Sequence, residues 1–316
     1  FDKAVEVFEI IQNRYPDHPE APKVQEQIMT AFERQRNFEG LAKARDVLTA
    51  NFSPGGAWFE TNKDNLDALI YAEDLSRRSL YAAAVFYHEQ AQAYEDSGDF
   101  ELATETYRRA SEGYSDYLGR YPHDKQLYEL TYYLADTLYY SQAFDEAVTY
   151  FERVRDSGMN DDFVIDSASN AVFAYENGIK VAVMRGDFEE FTIKTSAERE
   201  EGVEIVPQPI PERYANLISA TDALGRMKPD DENLAGFLYK SAQINLGYDH
   251  LDEALTRFQD VLLKYPTNDE TASFSVESIV DIYQTKRDYS SVVAFTKQVI
   301  DDENFAQLPD LLSSLQ

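Results

Sequence analysis

The sequence predicts an all-α chain, a solenoid of antiparallel helix pairs, and three observations carry that prediction. A pattern of Ala followed four residues later by an aromatic recurs in one register. Apolar residues otherwise recur at spacings of three and four, the period of an amphipathic helix. Stretches of alternating polarity that would mark strands are nearly absent, and short polar turns separate the helical segments.

The Ala-aromatic pattern appears in FDKAVEVFEIIQNRYP as Ala4, Phe8 and Pro16, and in LDEALTRFQDVLLKYP as Ala254, Phe258 and Pro266. FDEAVTYFERV supplies Ala147 and Phe151, and FELATETYRRA supplies Ala103 and Tyr107. Each Ala follows an opening apolar residue by three, namely Phe1, Leu251, Phe144 and Phe100 in the same order. The small Ala lets paired helices approach closely, and the ring four residues on lies on the same face, where it fills the gap to the next hairpin. Proline after the last turn stops the helix.

Weaker copies open at Phe38, where Leu41 replaces the Ala, at Tyr289, where Val292 does, and at Phe188, where Phe191 does. The openings at 1, 38, 100, 144, 188, 251 and 289 are separated by 37, 62, 44, 44, 63 and 38 residues. The two long steps require insertions or an extra helix. First helices of the pairs fit the same scheme, with Leu134, Ala135 and Leu138 before Phe144 and Ile279, Val280 and Tyr283 before Tyr289.

Three irregularities interrupt the repeat. Residues from about Asn65 to about Asp96 read as one long helix, and the helix after it also overruns, so an overlong hairpin is expected over 65–121. Pro54, Gly55 and Gly56 break the chain just before Trp58, the only Trp, which is expected to anchor that loop. In EREEGVEIVPQPIPERY, Val203, Ile205 and Val206 favour extended backbone and Pro207, Pro209 and Pro211 enforce it. The expected organisation is therefore helical repeats over 1–200, a Pro-rich linker over 201–212, and further helical repeats over 213–316. A helix from Pro211 to about Met227 would cap or bridge the two blocks, and LPDLLSSLQ would begin another helix. Both ends read as cut within a repeat, as in a fragment of a longer chain.

Composition narrows the function. Lys and Arg total 29 against 58 Asp and Glu, a formal charge of −29. Nucleic-acid binding needs a positive face that displaces counterions, so that class is excluded, and anionic membrane surfaces are disfavoured. No apolar run has the length of a membrane span, so no direct membrane insertion by this segment is expected. There is no Cys, which removes disulfides, thiolate metal sites and cysteine nucleophiles.

No catalytic constellation emerges. His18, His123 and His250 lie in or beside turns. His88 opens HEQAQ, one residue short of the HExxH zinc pattern, because Gln92 stands where the second His would be. Phosphate-binding and nucleophile-elbow motifs are missing. The chain is expected to be no enzyme and to need no cofactor and no metal. A metal-dependent hydrolase around His88 and Glu89 is the remote alternative.

Counting back from each opening residue gives the positions that line the inner face of stacked hairpins. These are His88, Gln92 and Glu95 before Phe100, then Glu129, Tyr132, Asp136, Tyr139 and Tyr140 before Phe144, and Glu277, Asp281 and Gln284 before Tyr289. They describe an acidic, Tyr-rich groove. Tyrosine supplies rigid contact area, and carboxylates would select Lys or Arg on a protein or peptide partner. A repeat segment that packs only within a larger machine is the alternative.

The Ala-x3-aromatic pattern with its closing proline resembles the tetratricopeptide-repeat family over essentially the whole chain, without the Trp and Gly usual in that family's first helix. NRYPDHPEAPKV and LKYPTNDETA are similar to the joints of the bacterial cell-envelope branch. FSPGGAW and YHEQAQAYEDSGD resemble segments of large deltaproteobacterial envelope and gliding-motility repeat proteins. The resemblance implies a right-handed superhelix and a non-catalytic scaffold in an envelope complex, in the periplasm or at the outer membrane, with the cytoplasm as the alternative.

Overall fold

The computed structural model describes residues 1–200, 202–266, 269–305 and 312, and among these every regular element is a helix. The chain divides into two compact units, Phe1–Gln142 and Ala143–Gln316. The helix expected at LPDLLSSLQ lies outside the described residues, Leu312 apart.

The first unit contains α1 (Asp2–Arg14), α2 (Ala21–Arg34), α3 (Phe38–Phe52), the short α4 (Ala57–Thr61), α5 (Leu66–Asp96), α6 (Phe100–Arg120) and α7 (Leu127–Tyr140). Consecutive helices pack on each other, α1 with α2, α2 with α3, α5 with α6 and α6 with α7. Helices α5 and α6 run for 31 and 21 residues and form the long hairpin. Their close approach has a cause in sequence. A Cβ at Gly113 would lie 3.1 Å from both Cα and Cβ of Ala84, which is itself fully buried. Neither atom can swing aside, so Gly113→Val is expected to destabilise the first unit by about 1–3 kcal/mol through overpacking. Chemical denaturation would measure it, and an unchanged midpoint would refute the close-approach argument.

Trp58 is 2% exposed and pins the turn between α1 and α2. Its indole Nε1 donates to the His18 carbonyl at 2.8 Å, and its ring meets Phe52 edge-on at 5.2 Å. Pro54, Gly55 and Gly56 therefore turn the chain so that α4 can deliver an anchor into the core formed by Leu48, Phe52 and Leu75.

The second unit contains α8 (Phe144–Asp156), α9 (Val164–Arg185), α10 (Glu212–Met227), α11 (Leu234–Gly247), α12 (Leu251–Lys264), α13 (Asp269–Thr285) and α14 (Tyr289–Asp301), again packed consecutively. Its core gathers Tyr214, Leu217, Leu224, Leu234, Ile244 and Val261. Helix α10 packs against both α9 and α11. It thus completes a hairpin with α9 and does not bridge two blocks.

The Ala-aromatic copies occupy the positions their chemistry requires. Ala147, Phe151, Ala254 and Phe258 are fully excluded from solvent, and Ala103 and Tyr107 nearly so. The turns share one backbone device. Arg36, Gly98, Gln142, Asp249 and Arg287, each two residues before an opening residue, have φ between 54° and 82°. This left-handed step reverses the chain, and only Gly98 of the five is free of side-chain strain there.

Two expectations need correction. Gly186 makes the same left-handed step, at φ 76°, but no helix follows at Phe188. Residues 187–195 form no regular element instead, because the place of a second helix beside α9 is taken by α10. The Pro-rich segment also does not separate two blocks. It lies inside the second unit as the return limb of a strap inserted between α9 and α10.

Candidate partner-binding groove

In the first unit, α5, α6 and α7 bring together a histidine, six tyrosines and three carboxylates, with His88, Tyr107 and Tyr114 buried beneath the others. His88 on α5 is buried, with its Nδ1 3.2 Å from the Tyr114 hydroxyl of α6. Its Nε2 lies 3.6 Å from Asp136 Oδ2 of α7 and 3.4 Å from Gln92 Nε2. The rings of Tyr107, Tyr114 and Tyr133 stand edge-on around the imidazole, 5.8–5.9 Å between centroids. Both ring nitrogens are thus directed at protein partners. The residue that a zinc motif would need at 92 contributes an amide to the same cluster.

Outward from His88 the surface becomes acidic. Tyr107 donates its hydroxyl to Glu95 Oε2 at 2.7 Å and stacks on Tyr140 at 4.9 Å. Tyr133 donates to Glu129 Oε1 at 2.8 Å. Glu129, Tyr132, Asp136, Tyr139 and Tyr140 recur at three, four and one along α7, and Tyr139 meets Tyr140 at right angles. Tyr140 is 40% exposed. Burial raises the Tyr107 and Tyr114 hydroxyls above the ordinary tyrosine value, and the carboxylate Tyr107 faces adds to its shift. Burial first, then the bond to Glu129, pushes Tyr133 up to about 12. The phenols are therefore neutral donors.

Among the described residues, Glu95, Glu129 and Asp136 form no ion pair with Lys or Arg; their protein partners are Tyr107, Tyr133 and His88. The surface can thus receive a cation without first breaking an internal pair.

The three positions expected on α13 behave differently. Asp281 Oδ1 accepts from both the backbone N and the hydroxyl of Ser196, at 2.8 and 2.7 Å. Gln284 Oε1 accepts from the same hydroxyl at 3.2 Å. Glu277 is exposed. Asp281 and Gln284 are therefore engaged by this chain's own strap, Asp281 half-buried and Gln284 still exposed. Sequence reasoning also missed Tyr107, Tyr114 and Tyr133 as members of the groove. The run 103, 107, 110, 114 and 117 on α6, all buried, would have placed the first two beside α5.

The fold is a series of paired helices of Ala-x3-aromatic register reversing at left-handed turns, an arrangement similar to that of tetratricopeptide repeats. No protein-family model matches the chain, and no curated protein matches it. Solved structures similar to it include MamA AMB-1, at 11% identity and a TM-score of 0.39, covering 72% of this chain and 92% of that one. MamA 41-end from Desulfovibrio magneticus RS-1 is 15% identical with a TM-score of 0.34, covering 68% and 96%. The TPR2AB-domain:pHSP90-complex of yeast Sti1 is 11% identical with a TM-score of 0.27, covering 93% and 94%.

Proposed function

We propose that the chain is a non-catalytic protein-binding scaffold whose first unit receives a Lys- or Arg-bearing segment of a partner across α5 and α7. One observation carries this reading. Glu95 and Glu129 are held by tyrosine donors, Asp136 lies 3.6 Å from His88 Nε2, and among the described residues none of the three pairs with Lys or Arg. A guanidinium or ammonium placed among them gains charge-assisted hydrogen bonds, and the exposed ring of Tyr140 gives its stem or cationic face a surface to lie on.

The test uses the whole chain and arrays of Lys/Arg-containing peptides, with affinities followed by anisotropy. A charge-assisted hydrogen bond contributes about 1.5–3 kcal/mol. Asp136→Asn or Glu95→Gln is therefore expected to weaken the best binder by about tenfold or more, with helicity unchanged. Binding should also weaken as salt rises. Peptides that bind equally to the native chain and to the double variant would refute the site. Failure of every basic peptide, with retention of neutral ones, would refute the charge argument.

The envelope placement belongs to the same proposal and rests on the resemblance of the YP joints and the FSPGGAW segment. Fractionation of source cells that recovers the protein only from the cytoplasm would remove it.

A further inference from the structure

The strap between α9 and α10 lies across the first helices of the second unit in the manner of a bound peptide. Phe191 and Ile193 point inward while Glu190, Thr192 and Lys194 are exposed, the two-residue alternation of an extended segment on a surface. The Phe191 ring sits 5.3 Å from Tyr214 and 6.4 Å from Tyr248, with Lys240 Nζ 4.9 Å above it. Its seat exists because residue 247 is glycine: a Cβ there would lie 2.4 Å from Phe191 Cδ2. Ile193 packs on the cluster of Ala242, Leu246, Ile279 and Ile282. Ser196 then hydrogen-bonds Asp281 and Gln284 through a single turn of 3-10 helix.

The strap is an occupant and not a core element. None of its described residues from 187 to 210 is fully buried. Beyond Ser196 it arches over a cleft of about 1340 Å³ and is tied down at Arg199, which pairs with Asp249 at 2.7 Å, and at Gln208. We propose that this strap is a displaceable plug, and that the face it covers on α11 and α13 binds in trans an extended segment carrying an aromatic and an aliphatic residue two apart and a hydroxyl residue three further on. The proposal extends the scaffold reading to a second, self-occupied surface. It leaves the acidic surface of the first unit untouched, so the two can fail separately.

Two experiments decide it. In the native chain, amide exchange of residues 188–199 is expected to be at least about a hundredfold faster than that of α11 and α12, because the plug opens locally. Gly247→Ala, which suits a helix but removes the seat of Phe191, should accelerate that exchange by a further tenfold or more. Strap amides that exchange only with the whole unit would overturn the proposal. The second experiment replaces residues 187–208 by a Gly/Ser sequence of equal length and adds a labelled DFEEFTIKTSAER peptide. The variant is expected to bind it at least about thirtyfold more tightly than the native chain, and the same peptide carrying Ser196→Asp, which sets a carboxylate against Asp281, is expected not to bind. A helical variant that ignores the peptide would overturn the proposal. Should that variant fail to fold, the exchange result on the native chain and on Gly247→Ala decides alone.

Discussion

Replacing Phe258 with alanine is expected to destabilise the second unit by about 3–5 kcal/mol, the range for a fully buried aromatic. Phe258 has no exposure, sits 5.6 Å from Tyr239, and belongs to the cluster with Ala242, Leu246 and Ile282. The loss combines the transfer free energy of the ring with the void left between α12 and its neighbours. The same motif provides an internal control. Phe8 holds the equivalent position in α1 but is only half-buried. Phe8→Ala should therefore cost distinctly less, on the order of 1–2 kcal/mol. Because the chain has two units, each variant is read from the transition of its own unit in urea, and no single two-state midpoint is assumed. Equal losses at the two sites would mean that the motif, and not the burial it reaches here, sets the energetics.

That contrast bears on what could be read from the sequence. Ala and an aromatic four residues apart are a local pattern fixed by helix geometry, so α6, α8 and α12 were legible to within a residue or two. The turns were legible as well, since SGDF and SQAF set the left-handed residue two places before the next helix. The same reasoning explains the failure at Phe188. RGDF carries the turn signal, and the turn forms at Gly186. Whether a helix follows depends on which segment packs beside α9, and that competitor, α10, begins some two dozen residues later. The groove divides along the same line. His88, Asp136 and Glu95 come together because helix register alone places them. The occupancy of Asp281 and Gln284 by Ser196 is a contact across 85 and 88 residues that no periodicity encodes. The unit boundary after Gln142 was equally hidden, because α7 and α8 carry ordinary motif residues on both sides of it.

Alkali is expected to unfold the first unit before the second. Burial, aided in several cases by a neighbouring carboxylate, raises many of the phenols. Tyr71, Tyr121 and Tyr133 in the first unit and Tyr175 and Tyr214 in the second are pushed up to about 12. Tyr107 and Tyr114, both in the first unit, are raised as well. A tyrosine in the unfolded chain ionises near pH 10. The folded state therefore holds these protons more tightly, and the stability this represents is complete below pH 10 and lost as pH rises toward 12. The carboxylates sharpen the effect, because a phenolate at Tyr71, Tyr107 or Tyr133 would face Glu26, Glu95 or Glu129, to which each donates when neutral. With more raised phenols, the first unit should lose several kcal/mol between pH 10 and 12, a fall on the order of 10 °C or more in Tm, while the second falls less. Thermal melts across that range, read beside near-ultraviolet phenolate absorbance, measure both quantities. Lysine deprotonation also begins near pH 10, so the discriminating variant is Tyr133→Phe, which keeps the ring and removes the titrating group. It should flatten the alkaline decline of the first unit without altering that of the second. An identical decline in native chain and variant would remove Tyr133 as a contributor, and the same result with Tyr71→Phe and Tyr107→Phe would assign the loss to the ion pairs.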